Sequence, residues 1–469
     1  LEELSDSLLE PNPARHPLSN RELHHLVWRL SWPSVMTMLL QTINSLMDAF
    51  FVGHLPGIGG QALAATSAGG NVLFIMFSLA MGVSVGTTAL VARFTGAGDH
   101  EQTLHTTAQS ITLSALVGLL CAAPAWFGRD LIIILLLNPQ QNPEAAALCS
   151  QFLAMALLSV APMFVMNALG AVFRGLGDTR TPLYLTIVAV STHISLNALL
   201  INGRLGFPAM GVRGAGLAMT LSVVVVTLLF FVALVRRTAL GGALCTKHLR
   251  LQLKWAQRIL KIGIPASVQG LLRSLSMTSF TGMLAHAPQG AAAVAALGIG
   301  MRAEAFSFMP GFGYGIAASA LVGQNLGAKS PEQAERSAWA ATHQAMVIMS
   351  LMGVVFLAFS HLLPLIFTRD AVVVALSADY LRISAFGEPF LAIGMVLTNA
   401  LQGAGETVRP TYITFITMWV VRLPLTYFLM FPLRLYTHGA WFAMLITTVL
   451  GGLMTLQLFR SGRWKRIKV

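Results

Sequence analysis

The octet Leu90-Val91-Ala92-Arg93-Phe94-Thr95-Gly96-Ala97 recurs as Leu321-Val322-Gly323-Gln324-Asn325-Leu326-Gly327-Ala328, an offset of 231 residues. Both copies continue to a Glu-Gln pair, Glu101-Gln102 and Glu332-Gln333. Further on, Gly175-Leu176-Gly177-Asp178-Thr179 returns as Gly403-Ala404-Gly405-Glu406-Thr407, an offset of 228. Gly214-Ala215 with Ala218-Met219 returns as Gly439-Ala440 with Ala443-Met444, and Ser31-Trp32-Pro33 sits where Gly263-Ile264-Pro265 recurs. Four matches in one order at nearly constant offset mean an internal duplication, so whatever one half folds into, the other must also fold into.

The repeated unit is apolar. The chain is 55% hydrophobic and 10% charged, against about 25% charged in soluble domains. Its apolar runs reach about 20 residues or more between short polar loops, the length of a membrane-crossing helix and not the ten-residue alternation of a barrel. We read an all-α polytopic membrane protein of about twelve spans: 26–53, 62–94, 105–127, 145–171, 181–202, 212–236, 256–285, 291–324, 336–358, 373–401, 410–432 and 438–460. Leu131–Leu137 is too short to cross and is expected to be an outer connecting segment. The second and eighth spans exceed a ~30 Å core, which calls for tilt, extension or a kink, with Pro310-Gly311 a kink site in the eighth. Six spans per half give both copies one orientation, so two pseudo-symmetric six-helix bundles related by an axis along the membrane normal are expected. The divisions are a segment 1–25, an N-lobe 26–236, a linker 237–255, a C-lobe 256–460 and a basic tail 461–469. Leu1–Arg21 is polar and partly acidic, so no secretory signal is expected there. The first residue is Leu, as in a trimmed chain.

A formal charge of +12 would suggest nucleic acid in a soluble protein. Here topology explains it, and no nucleic-acid partner is expected. Arg15, Arg21, Arg29, Arg93, Arg174, Arg180, the run Arg236 to Lys261, Lys329, Arg336, Arg409 and the tail Arg460 to Lys468 fall on one side. The other side holds Arg129, Arg204, Arg213, Arg369, Arg382 and Arg434. The positive-inside rule puts the first group and both termini in the cytoplasm, in a plasma (inner) membrane protein.

Two lobes imply an interface cavity and a rocking exchange of access, the plan of secondary carriers, although channels and membrane enzymes also arise by duplication. Within the spans the outstanding residue is Asp48, since an ionised side chain at bilayer depth costs roughly 2.5 to 3.5 kcal/mol and asks for an ion or substrate path. The bland alternative is a solvated carboxylate near a helix end. Asn44, four residues earlier, shares its helix face. At the 231 offset Asp48 corresponds to Ser279, so the charge belongs to one copy, which favours an ion role over a structural one.

Other polar residues in the spans are Gln41, Asn167, His193, Asn197, Gln269, Arg273, Arg302, Glu304, Glu388 and Arg422. Asn197, one turn beyond His193, can reach toward Asp48. His193 is either a proton relay or a hydrogen-bonded packing residue. Glu304 is the second candidate for a proton or cation, weighed against a structural salt bridge. Arg302, two residues away, cannot face it squarely. Glu388 precedes Pro389, where a broken helix can leave backbone groups for it to bond. Gln41, Met47, Met166, Gln269, Arg273 and Met309 are expected to line a substrate cavity, methionines suiting a promiscuous one. Gly82-Val83-Ser84-Val85-Gly86 fits a nucleophile elbow, but no strand precedes it, and small residues that let helices approach explain it better. No zinc, paired-cysteine or phosphate-loop motif occurs. Cys121, Cys149 and Cys245 are scattered thiols.

With these residues in place the chain resembles the multidrug and toxic compound extrusion (MATE) family of cation-coupled antiporters, over nearly all of Leu26 to Arg460. The resemblance is carried by Asp48-x-x-Phe51-Val52-Gly53, Gly96-Ala97, Arg174 to Thr179, Arg302-Ala303-Glu304 with Phe308-Met309-Pro310, Val322 to Ala328, and Gln402 to Thr407. It implies two six-helix bundles in a V shape and efflux of organic, often cationic, amphipathic compounds in exchange for protons or sodium, with a bearing on antibiotic resistance. It further implies Asp48 as the N-lobe cation site with Asn197 beside it, and a monomer. No cofactor is expected beyond the ion gradient, and no metal beyond sodium at Asp48. Two departures favour the proton. The position four after Asn197 is Ile201 rather than an acid, and the seventh span offers Gln269 or Arg273 where some members have Glu. The alternatives are a lipid or oligosaccharide flippase of the same superfamily, whose cavity usually carries more charge, and an intramembrane enzyme, for which no paired nucleophile and base is apparent.

Overall fold

The computed structural model describes residues 19–137, 140, 142–203, 206–236, 242 and 246–467, in which all regular structure is helical. The segment 1–18 with Arg15, Arg204, the linker stretches 237–241 and 243–245 with Cys245, and Lys468 lie outside these residues. In chain order the first half comprises α1 (Asn20–Gly53), α2 (Gly59–Ala97), α3 (His100–Phe127), the short α4 (Arg129–Leu137), α5 (Pro143–Ala156) running through a 3-10 turn into α6 (Val160–Gly175), α7 (Arg180–Leu200) and α8 (Gly211–Arg236). A single turn, α9 (Thr246–Leu249), follows. The second half comprises α10 (Leu253–Ala285), α11 (Gly290–Gly327), α12 (Pro331–Ala358), α13 (Leu362–Leu365), α14 (Ala371–Ala385), α15 (Glu388–Gly403), α16 (Val408–Phe415), a π-helical stretch Ile416–Arg422, α17 (Leu423–Met430) and α18 (Tyr436–Arg460).

Ten of these helices or helix runs are long and apolar enough to cross a membrane, and the bent pair α14 and α15 makes an eleventh. At 33 residues α10 is long enough to be the twelfth, but Gln269, Arg273 and a run of Ser and Thr make it less apolar than the rest. The nine-residue α4 covers the run that was too short to span. On α12 one face carries Ala338, Ala341, Ala345 and Met349 at 0% exposure, while Val347, Leu351 and Val354 stand 59–65% exposed. Apolar residues on both faces of a helix are what a lipid-facing bundle member requires.

Of the two long spans, α11 runs unbroken through Pro310. The sharp break falls instead between α14 and α15, which meet at 60°. Pro389 has no N–H to give the carbonyl of Ala385, and it falls in the first turn of α15, where a missing N–H leaves no helical bond unmade.

The chain divides into two compact units, one of Leu1–Val35, Thr95–Gly98 and Val268–Val469, the other of Met36–Phe94 and Asp99–Ser267. The first half of α1 thus belongs with the C-terminal helices, and the first half of α10 with the N-terminal ones. Glycines make both attachments. In the N-terminal unit a Cβ on Gly82 would collide with Ser267 Oγ and Gly263 O, and one on Gly86 with Ile259 O. In the C-terminal unit a Cβ on Gly313, the repeat mate of Gly82, would collide with Val35 and crowd Ser31. The apparent nucleophile elbow is therefore a close helix contact.

The second repeated motif is a turn. Gly177 and Gly405 take φ of +83° and +89°, a left-handed conformation that ends the preceding helix and that a Cβ disfavours. The acid that follows caps the next helix: Asp178 Oδ1 accepts from the N–H groups of Arg180 and Thr181, and Glu406 Oε1 accepts from Arg409 N–H.

Candidate functional site

Helices α1 and α7 bring four of the sequence-predicted residues together inside the N-terminal unit. Asn44 and Asp48 are one turn apart on α1, as His193 and Asn197 are on α7, so the two helices meet through two polar rungs. Asp48 Oδ1 accepts from Asn197 Nδ2 at 2.5 Å and lies 3.5 Å from His193 Nε2. His193 Nδ1 lies 2.9 Å from Asn44 Nδ2 and 3.1 Å from Asn44 Oδ1. Asn197 is wholly buried and His193 nearly so, whereas the Asp48 side chain is 40% exposed. Asp48 is thus held by buried partners while part of its side chain stays accessible.

Each rung has groups for two protonation states. With its proton on Nε2, neutral His193 accepts at Nδ1 from Asn44 Nδ2. The charged ring donates from Nδ1 to Asn44 Oδ1 instead. Asn197 offers its amide N–H to the Asp48 carboxylate, and its buried Oδ1 has no partner among the described residues. A protonated carboxyl is a donor, and an amide oxygen is what it needs.

The remaining candidates divide between the units. Gln41 is exposed on α1, Met47 is half-buried, and Met166 packs against the Ile111, Leu169 and Phe173 cluster, all in the N-terminal unit. Gln269 and Arg273 line a cavity of about 250 Å³ inside the C-terminal unit, together with Glu304, Glu388 and Arg422. Met309 is buried and does not line it, and Arg302 is exposed.

Two backbone irregularities border this cavity: Gly387 and Glu388 at the break between α14 and α15, and Thr417, Met418 and Arg422 in the π-helical stretch. Non-helical backbone at membrane depth is tolerated where it is buried in protein or lines a cavity, and π-turns cluster at functional sites. Ser276 Oγ donates to Met418 O inside that stretch. Glu304 accepts from Tyr380 OH at 2.7 Å, Arg422 Nε donates to Thr447 Oγ1 at 2.8 Å, and Gln269 bonds Thr414 and Gln402. Glu388 takes the Ser307 hydroxyl on Oε2 at 2.5 Å rather than a backbone group freed at the break.

Sequence reasoning missed Tyr380, Ser307, Thr447 and Trp441. Ser307 was within reach, since it lies three residues after Glu304 and shares its face. Trp441 and Thr447 carried no signal of their own.

The MatE family model matches this chain twice, over residues 33–199 and 265–428, the second match starting 232 residues after the first and so restating the duplication. A probable multidrug resistance protein NorM of Thermotoga maritima is 28% identical over 95% of this chain and 94% of its own length. A multidrug resistance MATE family transporter of the MOP superfamily, solved in an outward-facing conformation, superposes with a TM-score of 0.83 at 23% identity over 97% of each chain. A MATE structure in the straight conformation gives 0.85 at 23% identity and the same coverage. These likenesses give the two-lobed fold. With both halves matched over most of their length, the chain belongs to the MATE family and is a multi-pass membrane transporter.

Proposed function

We propose that the chain is a cation-coupled antiporter that expels organic, often cationic, amphipathic compounds by alternating access, with Asp48 as the group through which the ion gradient acts. The observation that carries this reading is the pair of rungs joining Asn44 and Asp48 to His193 and Asn197. As a carboxylate, Asp48 holds α7 through Asn197 Nδ2. When Asp48 takes a proton, its hydroxyl becomes a donor and the Asn197 amide has to turn its oxygen toward it. The α1–α7 contact thereby has two arrangements, and the ion selects between them. A differential of a few kcal/mol between two states is enough to shift their populations by orders of magnitude.

The multidrug resistance named for the Thermotoga maritima relative supports the substrate class. The proton is the better fit as coupling ion, because the groups facing Asp48 are nitrogens, whereas a hard cation seeks a shell of oxygens. The transporter works without a cofactor, as a monomer in the plasma membrane, with both termini cytoplasmic. Accumulation of a fluorescent organic cation in cells with and without the protein tests this, with the proton and sodium gradients collapsed separately. Loss of efflux on collapsing the proton gradient alone supports the reading. Efflux that survives the collapse of both overturns it.

A further inference from the structure

We propose that the cavity inside the C-terminal unit is a binding site for a small zwitterion with an apolar body, its anionic group held by Arg273 and its ammonium group by Glu388. The inference rests on reading the chain as a carrier of small organic compounds, and it narrows which of them this cavity takes.

Most polar groups around the cavity have partners. Glu304 is held by Tyr380 OH and feels the charge of Arg422, Arg422 is tied to Thr447, and Gln269 is spent on Thr414 and Gln402. Glu388, Trp441 and Arg273 are among those that do not. Glu388 is 1% exposed and its Oε1 has no hydrogen-bond partner among the described residues; Trp441 is 1% exposed and its Nε1–H has none either. Arg273 makes no hydrogen bond or ion pair among the described residues, and the cation it acts on is Arg422, of like sign. The charge that Glu388 feels is that of Glu304, again of like sign. An uncompensated guanidinium and an uncompensated carboxyl group therefore face one cavity without neutralising each other. A polar or ionisable group kept from water is costly to leave without a partner; here Glu388 is buried and Arg273 half-buried. A ligand carrying one charge relieves one of the two; a ligand carrying both relieves both. Trp441 Nε1–H adds a second donor for an anionic or carbonyl oxygen.

The rest of the wall is apolar and adaptable, with Met277, Met301, Phe308, Met395, Met418 and Met444 among its members. Flexible thioethers mould to varied apolar bodies and favour aromatic ones. A volume of about 250 Å³ lies just below the ~300 Å³ at which drug-sized pockets begin, so the occupant is small.

Three probes with one body and different charges, the two charges of the zwitterion standing at opposite ends of the ring, test the site: 4-(aminomethyl)benzoic acid (zwitterion), its methyl ester (cation) and its N-acetyl derivative (anion). Binding to the full chain in lipid nanodiscs is measured by calorimetry. The zwitterion is expected to bind at least about tenfold more tightly than either analogue, about 1.4 kcal/mol. Arg273→Gln should bring the zwitterion down to the ester, and Glu388→Gln should bring it down to the N-acetyl compound. Ester binding as tight as the zwitterion's makes the cavity a simple cation site and overturns the proposal, as does equal binding of the anion or no saturable binding of any probe. This comparison needs only the wild-type chain, so a variant that fails to fold does not block it. Selective binding in a protein that shows no gradient-driven export would retire the antiport reading and keep this site.

Discussion

Asn197 is the residue on which the two charge states of Asp48 depend most directly, because its amide carries the donor for one and the acceptor for the other. A hydrogen bond to a charged group contributes about 1.5 to 3 kcal/mol. Asn197→Ala should therefore reduce the initial rate of gradient-driven export at least about tenfold at equal protein in proteoliposomes. Asn44→Ala, which touches His193 and not Asp48, should reduce it less. Equal losses would mean that the rungs act only as packing. Asp48 stood out in the sequence because a lone acid in an apolar run is costly, Asn44 followed from helical spacing, and the place of Asn197 beside Asp48 came from the family resemblance. The Asp48 side chain is 40% exposed and is held by the buried amide of Asn197. Tyr380 and Trp441 were not legible in this way, because aromatic residues are ordinary members of a membrane core and become partners only when another helix places a polar atom beside them.

Elements were legible where a period or a punctuating residue marked them. Each expected span matches a helix or helix run to within a few residues at its ends, and Gly177 and Gly405 explain why one turn was written twice. Breaks inside helices were harder to read. Pro310 and Pro389 look alike in sequence, yet only the second lies at a break. Nothing in the composition of Ile416–Arg422 announces a π-helical stretch, which depends on neighbours such as Ser276 to satisfy displaced carbonyls. The glycine contacts carry a prediction of their own. Gly82→Leu and Gly313→Leu each force a side chain into a close helix contact and should cost about 1 to 3 kcal/mol, read as a clear fall in the melting temperature of the purified protein. Gly298→Leu, where nothing lies within 4 Å of an added Cβ, should melt with the wild type. A Gly82→Leu protein that also melts with the wild type would show that the α2–α10 contact is looser than drawn.

At the scale of the whole molecule, the duplication was the most legible feature, and the family match restates it as two copies, 33–199 and 265–428. The two compact units do not follow the linear halves of the chain, because each takes the first half of one helix from the other. A repeat in sequence gives the period and not which neighbour a segment leaves with. The twelve spans expected from the sequence would put both termini on one side. Single cysteines introduced at Ser19 and Ser461, in a chain with the native thiols replaced, should both be shielded from an impermeant maleimide in intact cells and labelled after lysis; labelling of one alone in intact cells would contradict that topology. The central claim is that Asp48 couples ion entry to export, and the direct measurement compares wild type with the near-isosteric Asp48→Asn in proteoliposomes under an imposed pH gradient. Wild type is predicted to move a fluorescent organic cation against its gradient, and Asp48→Asn to fold and insert equally well but move none beyond empty liposomes. Full gradient-driven transport by Asp48→Asn would contradict the account.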